Sequence, residues 1–401
     1  MLPSISLCRT AAASLLFFAA CTTPAFSQTL TSLHTFNDTD GCVPFSGLVR
    51  GKDGNFYGTT TNGGGGAGDG TAFKITPAGK FTLLHTFVGG NSDGRIPGAS
   101  VIRDAAGNLY GTTSNGGPSD AGVVWKITPA GKESVVYAFT GLSDGGYLFS
   151  DLLRDTKGNL YGTTFGGGDI SCTTGLNGCG TVFKIDNTGH ESVIHSFEGG
   201  NDGQDPYAGL VMDSAGNLYG DTSYQDGQTF IGGGQVFEIS PSGNKTVLYA
   251  FDLGGPNGDT PDSDLTFAPG EVLYGTTSEG GDLNVCSGSG CGTIFKIDTS
   301  GILTTTHTFE GSPSDASIPN GPLARDSAGN LYGASFTGGL NNLGAVYKMD
   351  TSGNITLLHS FTGGSDGFSP RGRLYVSSNG TVYGTAWQGA NGCGLAFKIT
   401  P

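Results

Sequence analysis

The chain has 401 residues, 73 of them Gly, with charged residues at 13% and a net charge of −15. That acidic balance excludes nucleic acid and anionic membrane surfaces as natural partners, since both attract basic patches. Disorder is excluded too, because aromatic and β-branched residues return on a fixed schedule instead of being depleted.

Residues 1–27 read as a secretory signal peptide. Arg9 is the only charged side chain ahead of the apolar run from Ala11 to Ala20, and the small residues Ala25 and Ser27 precede Gln28. The run is too short to span a bilayer, and nothing else in the chain is long and apolar enough to do so. A competing reading takes Phe18-Ala19-Ala20-Cys21 as a poor lipobox, with a lipid on Cys21. Residues 28–401 are expected to form one domain.

The mature chain opens with a strand, Thr29-Leu30-Thr31-Ser32-Leu33-His34-Thr35-Phe36. Three further runs follow. Leu48-Val49-Arg50 is short and apolar, a second run carries Tyr57-Gly58-Thr59-Thr60, and a third carries Phe73-Lys74-Ile75. Leu84-His85-Thr86-Phe87 then repeats the opening run, and the series begins again. The Tyr returns at Tyr110, Tyr161, Tyr219, Tyr274, Tyr332 and Tyr383. The aromatic of the third run returns at Trp125, Phe183, Phe237, Phe295, Tyr347 and Phe397. The Phe of the opening run returns at Phe139, Phe197, Phe251, Phe309 and Phe361.

Alternation and β-branched content make all four runs strands of about five to seven residues, here named A (Leu-Val-Arg), B (Tyr-Gly-Thr-Thr), C (Phe-Lys-Ile) and D (His-Thr-Phe). Seven copies of a four-strand unit of about fifty residues predict a seven-bladed all-β propeller of antiparallel blades. The chain opens on a D strand and ends on a C strand, so the first strand is expected to complete the last blade and remove two open edges. A–B and C–D connections are tight Asx and Gly turns, whereas D–A and B–C connections are long and variable. The long connections share one face, which is therefore the expected binding face.

Six Cys remain after signal cleavage, in a compartment that favours disulfides. Cys172 and Cys179 share one B–C loop, and Cys286 and Cys291 share another. Cys393 has no local partner, and Cys42 follows the first D strand. The expected pairs are Cys172–Cys179, Cys286–Cys291 and Cys42–Cys393. The last would add roughly 4–5 kcal/mol by loop entropy.

Gly-Asn-Leu-Tyr-Gly-Thr-Thr, Gly-Thr-Val-Phe-Lys-Ile and Leu-His-Ser-Phe together resemble the GloVer (Gloeo/Verruco-type) tandem repeat of bacterial exported proteins, across nearly all of residues 30–401. The resemblance implies export and a propeller-like fold, and it supplies no catalytic residues. It also implies a C-terminal surface-anchoring signal in many members. Here the sequence ends at the last blade, so secretion and periplasmic or cell-surface residence stay open. Strands A and B are more loosely similar to NHL-type propellers.

Features repeated in every blade cannot by themselves make one asymmetric site. The strand-D His or Tyr residues read as outer packing. Arg50, Arg103, Arg154 and Arg325 read as a structural ring, expected to pair with Asp104, Asp155 and Asp326. The Asp-Gly steps at Asp40, Asp93, Asp144, Asp202 and Asp366 read as turn closers, with Ca²⁺ as the alternative. No cofactor and no metal is expected. Departures from the repeat are more telling. Asp151, Asp264 and Arg373 stand just before strand A, Asp221 replaces a strand-B Thr, and Trp387 replaces a small residue in blade 7. These five residues are the candidate ligand site, at the loop-face mouth.

The expected function is a secreted, monomeric, non-catalytic binding module for extracellular glycan or protein. A polysaccharide lyase or hydrolase centred on the three Asp residues is the alternative. A structural cell-surface component is a further one, since propellers host all three.

Overall fold

A computed structural model describes residues 28–401 except 67, 173–176, 224–232 and 390; the expected signal peptide and Cys21 lie outside the described residues. Seven antiparallel four-stranded blades form a propeller ring. The first blade is built from Val49–Arg50, Phe56–Thr60, Thr71–Ile75 and Phe81–Thr86. In the last, Tyr375–Val376, Val382–Gln388 and Leu395–Thr400 are joined by Thr29–Thr35, which pairs antiparallel with Leu395–Thr400. The Cys42–Cys393, Cys172–Cys179 and Cys286–Cys291 disulfides are all present.

Strands B to D have the expected lengths, but strand A does not. Its ladder is two residues long in six blades and three in the fifth, Thr266–Ala268. The chain just upstream gives its amides to the mouth instead of to the sheet. Ser100 N donates to Asp151 Oδ1 at 2.6 Å and Gly209 N to Asp264 Oδ1 at 2.7 Å.

The core lies between blades. One cluster joins Tyr161, Val182 and Phe197 of the third blade to Leu210, Leu218 and Phe237 of the fourth. Burying each large apolar side chain contributes about 1.5–3 kcal/mol, so each blade is stable through its neighbours. The Tyr-Gly-Thr step has a packing reason: a Cβ on Gly162 would lie 2.7 Å from the ring of Phe183.

At the turn face, Asp53, Asp104, Asp155, Asp213 and Asp326 each close their own A–B turn. Asp104 accepts from Asn108 N at 2.9 Å, Asn108 Nδ2 at 2.7 Å and Tyr110 OH at 3.2 Å. The Arg ring corrects one expectation. Arg103 pairs with Asp53 of the preceding blade at 2.9 Å and lies over the Tyr57 ring, not with its own blade's Asp104. At the outer rim, the strand-D His and the D–A Asp form one unit: His34–Asp40, His85–Asp93, His195–Asp202, His307–Asp315 and His359–Asp366 lie at 2.9–3.1 Å. The same Asp residues cap their turns, as Asp93 does for Val88 N and Gly94 N.

The D–A and B–C loops meet on one face, where they form extra short ladders such as Gly94–Arg95 with Asn115–Gly116. Seven D–A residues there, one per blade junction, have left-handed φ: Val43, Ile96, Tyr147, Asp205, Thr260, Ile318 and Ser369. Each donates its amide to a B–C loop carbonyl of the preceding blade, as Ile96 does to Asp69.

Candidate functional site

The segments entering the seven A strands converge on the propeller axis at the loop face. Two positions two residues apart in each segment form an inner and an outer set. The inner set is Gly47, Ser100, Asp151, Gly209, Asp264, Pro322 and Arg373, and the outer set is Phe45, Gly98, Phe149, Tyr207, Asp262, Asn320 and Arg371. All but Gly47 and Gly209 line one cavity of about 60 Å³.

The inner set crosses the axis. Arg373 Nη2 donates to Asp264 Oδ2 at 2.7 Å and lies 3.6 Å from Asp151 Oδ2. Both carboxylates also accept a backbone amide from the preceding blade. Burial, then Asp264, pushes the Asp151 carboxyl up to about 6, and Arg373 opposes this. Asp151, Asp264 and Arg373 thus come together as one lock across the third, fifth and seventh blades.

Asp221 lies beneath this lock. In five blades the equivalent Thr donates its hydroxyl to a carbonyl of the next blade, as Thr163 does to Ala208 and Thr385 to Ser46, both at 2.8 Å. A carboxylate has no proton to donate. Asp221 is 1% exposed, and neither oxygen has a partner among the described residues. Burial, then Asp262 and Asp264, drives its pKa well above the ordinary carboxyl range, favouring the neutral acid.

The outer set holds residues that sequence reading missed. Arg371 sits with its guanidinium carbon 4.3 Å from the Phe45 ring centre and 5.2 Å from that of Phe336. Asp262 accepts from Asn320 Nδ2 at 3.0 Å, and burial raises its pKa to about 7 against the opposing pull of Arg371. Phe149 stacks on Tyr207 at 5.2 Å, with Phe165 edge-on to both. Trp387 lies at the end of strand B, 5.5 Å from Phe336. It therefore borders the outer set through the Phe336 ring that also meets Arg371. Four buried polar atoms, Asp262 Oδ1, Asn320 Oδ1, Arg371 Nε and Trp387 Nε1, have no partner among the described residues.

A family model described as the Gloeobacter/Verrucomicrobia repeat matches residues 22–175 and 170–397. No curated protein matches the chain. Among solved structures, the extracellular domain of a protein described as a hybrid two-component system of B. thetaiotaomicron is similar at 14% identity and TM-score 0.55. It covers 93% of this chain, which spans 41% of that one. The extracellular domain of a protein described as a one-component system from the same organism is similar at 8% identity and TM-score 0.56, over 93% of this chain and 40% of its own. A protein described as a 6-phosphogluconolactonase from Bacteroides uniformis is similar at 14% identity and TM-score 0.53, covering 83% of this chain and 89% of that one. At these identities the likeness is one of fold. Among the described residues no helix is long and apolar enough to cross a membrane.

Proposed function

The chain belongs to the Gloeobacter/Verrucomicrobia repeat family, and from that premise we propose that it is an extracellular binding module which takes a glycan at the axial mouth of its loop face. The carrying observation is the set of four buried, unpartnered polar atoms beside half-buried aromatic faces. Leaving such atoms unpaired costs about 1–3 kcal/mol each, and a ligand rich in hydroxyls offers both donors and acceptors. Sugar C–H faces pack on aromatic rings such as Phe149 and Trp387. The cavity has room for only a few waters, so a sugar would enter it by one edge or a chain end and lie otherwise over the mouth. Three disulfides and a signal-like leader support an extracellular setting.

The test passes the purified protein over immobilised plant and bacterial polysaccharides, then titrates the retained ones by calorimetry. Arg371→Ala is expected to weaken binding about 10- to 100-fold, the loss of a hydrogen bond to a charged group, and Trp387→Ala, which removes no charge, to weaken it as well. Equal binding by Arg371→Ala and Trp387→Ala would move the site elsewhere.

One observation favours a second reading, a polysaccharide-acting enzyme: the Asp262 carboxyl, near neutrality with a free oxygen, is suited to proton transfer. New reducing ends or unsaturated sugars that vanish in Asp262→Asn would establish it. The Asp151–Asp264 pair is less suited, since both carboxylates are tied to Arg373 and to backbone amides.

A further inference from the structure

A second place departs from the repeat, at the outer rim. In the first four blades the D strand opens beside the His–Asp or Tyr–Asp unit of the blade before it. The equivalent first residues are fixed by register: Glu133 faces Ile127, Glu191 faces Ile185 and Lys245 faces Ile239. Between the third and fourth blades this position holds a cation. Lys245 Nζ donates to Asp202 Oδ1 at 3.1 Å, to the Asp202 carbonyl at 2.6 Å and to Gln235 Oε1 at 3.3 Å, and Asp202 also pairs with His195. The Lys245 side chain is only 5% exposed. Here the chain supplies its own positive charge to the carboxylate.

Between the first and second blades, Glu133 takes the place of that lysine. It brings a second carboxylate to the His85–Asp93 unit, where Asp93 is 5% exposed. Glu133 Oε1 is buried without a partner among the described residues. One ligand atom each from His85, Asp93 and Glu133 lies within 4.8 Å of the others. Two carboxylates facing each other away from water are costly unless a cation joins them.

We infer that His85, Asp93 and Glu133 form a binding site for one divalent transition-metal ion, with Zn²⁺ the ion their donors suit best. One imidazole and two carboxylates are Zn²⁺ donors, and three protein ligands leave a fourth position for water. Ca²⁺ fits less well because it wants six or more oxygens. Zn²⁺ bonds of about 2.0–2.2 Å put tetrahedral ligands roughly 3.3 Å apart. His85 Nε2 and Asp93 Oδ2 already lie 3.1 Å apart, so only the Glu133 side chain has to close in. On binding, the His85 proton sits on Nδ1, and the ion replaces the hydrogen between Nε2 and Asp93. The groove between the second and third blades is different: Glu191 there faces Tyr137 and Asp144, without a His.

The experiment strips the full mature protein with EDTA and titrates it with ZnCl₂ by calorimetry, with Tm read in parallel. The wild type is expected to take up one Zn²⁺ per chain and to gain Tm. Glu133→Gln keeps all six His of the chain and is expected to lose at least about tenfold in affinity. Glu133→Lys copies the Lys245 arrangement. It is expected to bind no Zn²⁺ at this site and, without metal, to melt above the stripped wild type. No uptake by the wild type, or unchanged affinity in Glu133→Gln, would overturn the inference.

Discussion

Asp221 shows what a single departure from a repeat costs. Its five Thr counterparts satisfy a neighbouring carbonyl, whereas its own oxygens are buried and unpartnered. Its folded pKa lies above its unfolded value, so the folded state binds the extra proton. Stability from this group is therefore greatest in acid and falls as pH rises from the ordinary carboxyl value through the raised one. Asp221→Thr restores the donor and is expected to stabilise by about 1–3 kcal/mol near pH 8, and by less near pH 4. Thermal melts at the two pH values check this, and an equal gain at both would mean that Asp221 is ionised and paired. This position was legible because seven copies stand beside each other in one sequence. Asp262 and Arg371 stand farther from the periodic part of the repeat. Two residues upstream the chain is irregular loop, and period-2 reasoning does not say which side chain turns inward. Set side by side, Phe45, Gly98, Phe149, Tyr207, Asp262, Asn320 and Arg371 carry the same signal.

At the level of elements, the short strand A and the mouth are one phenomenon. Amides that leave the ladder reappear as donors to Asp151 and Asp264, and Arg373 balances the two charges. Removing the cation leaves two carboxylates facing each other. Arg373→Met is expected to destabilise toward the lower end of the ~3–5 kcal/mol typical of a broken buried pair, since the Arg373 side chain is 34% exposed. The Asp151 carboxyl is already raised to about 6 and would rise further. Its protonation favours the folded state, so the deficit is expected to shrink between pH 8 and pH 5. Urea titrations at both values measure it, and a deficit independent of pH would assign the loss to packing. The seven left-handed loop residues were invisible in sequence, because Val, Ile and Thr signal extended backbone. Each position is held by a hydrogen bond to the neighbouring blade, which overrides that preference at about 1–3 kcal/mol.

For the molecule as a whole, blade count, strand order and cysteine pairing could be read from spacing alone, because each rests on periodicity and chain connectivity. The strand-A length and the Arg103–Asp53 pairing could not, since both depend on how one blade sits against the next. The three disulfides differ in what they close. Cys42–Cys393 spans 351 residues and Cys286–Cys291 spans 5. Loop entropy puts roughly 4–6 kcal/mol on the first and about 2 kcal/mol on the second. Replacing both cysteines of each pair by Ser, one pair at a time, is expected to lower the urea midpoint far more for Cys42/Cys393. Equal shifts would mean that the paired first and last strands keep the ends together without the bridge.

That pairing also has a geographical consequence. Thr29 lies opposite Thr400, at the end of the blade where the tight C–D turns gather. Anything joined to the chain before Thr29 therefore departs from the side away from the mouth. Cys21 is eight residues upstream, a tether of at most about 28 Å when fully extended. A molecule moored there would stand with its turn side toward the mooring and its open mouth toward the medium.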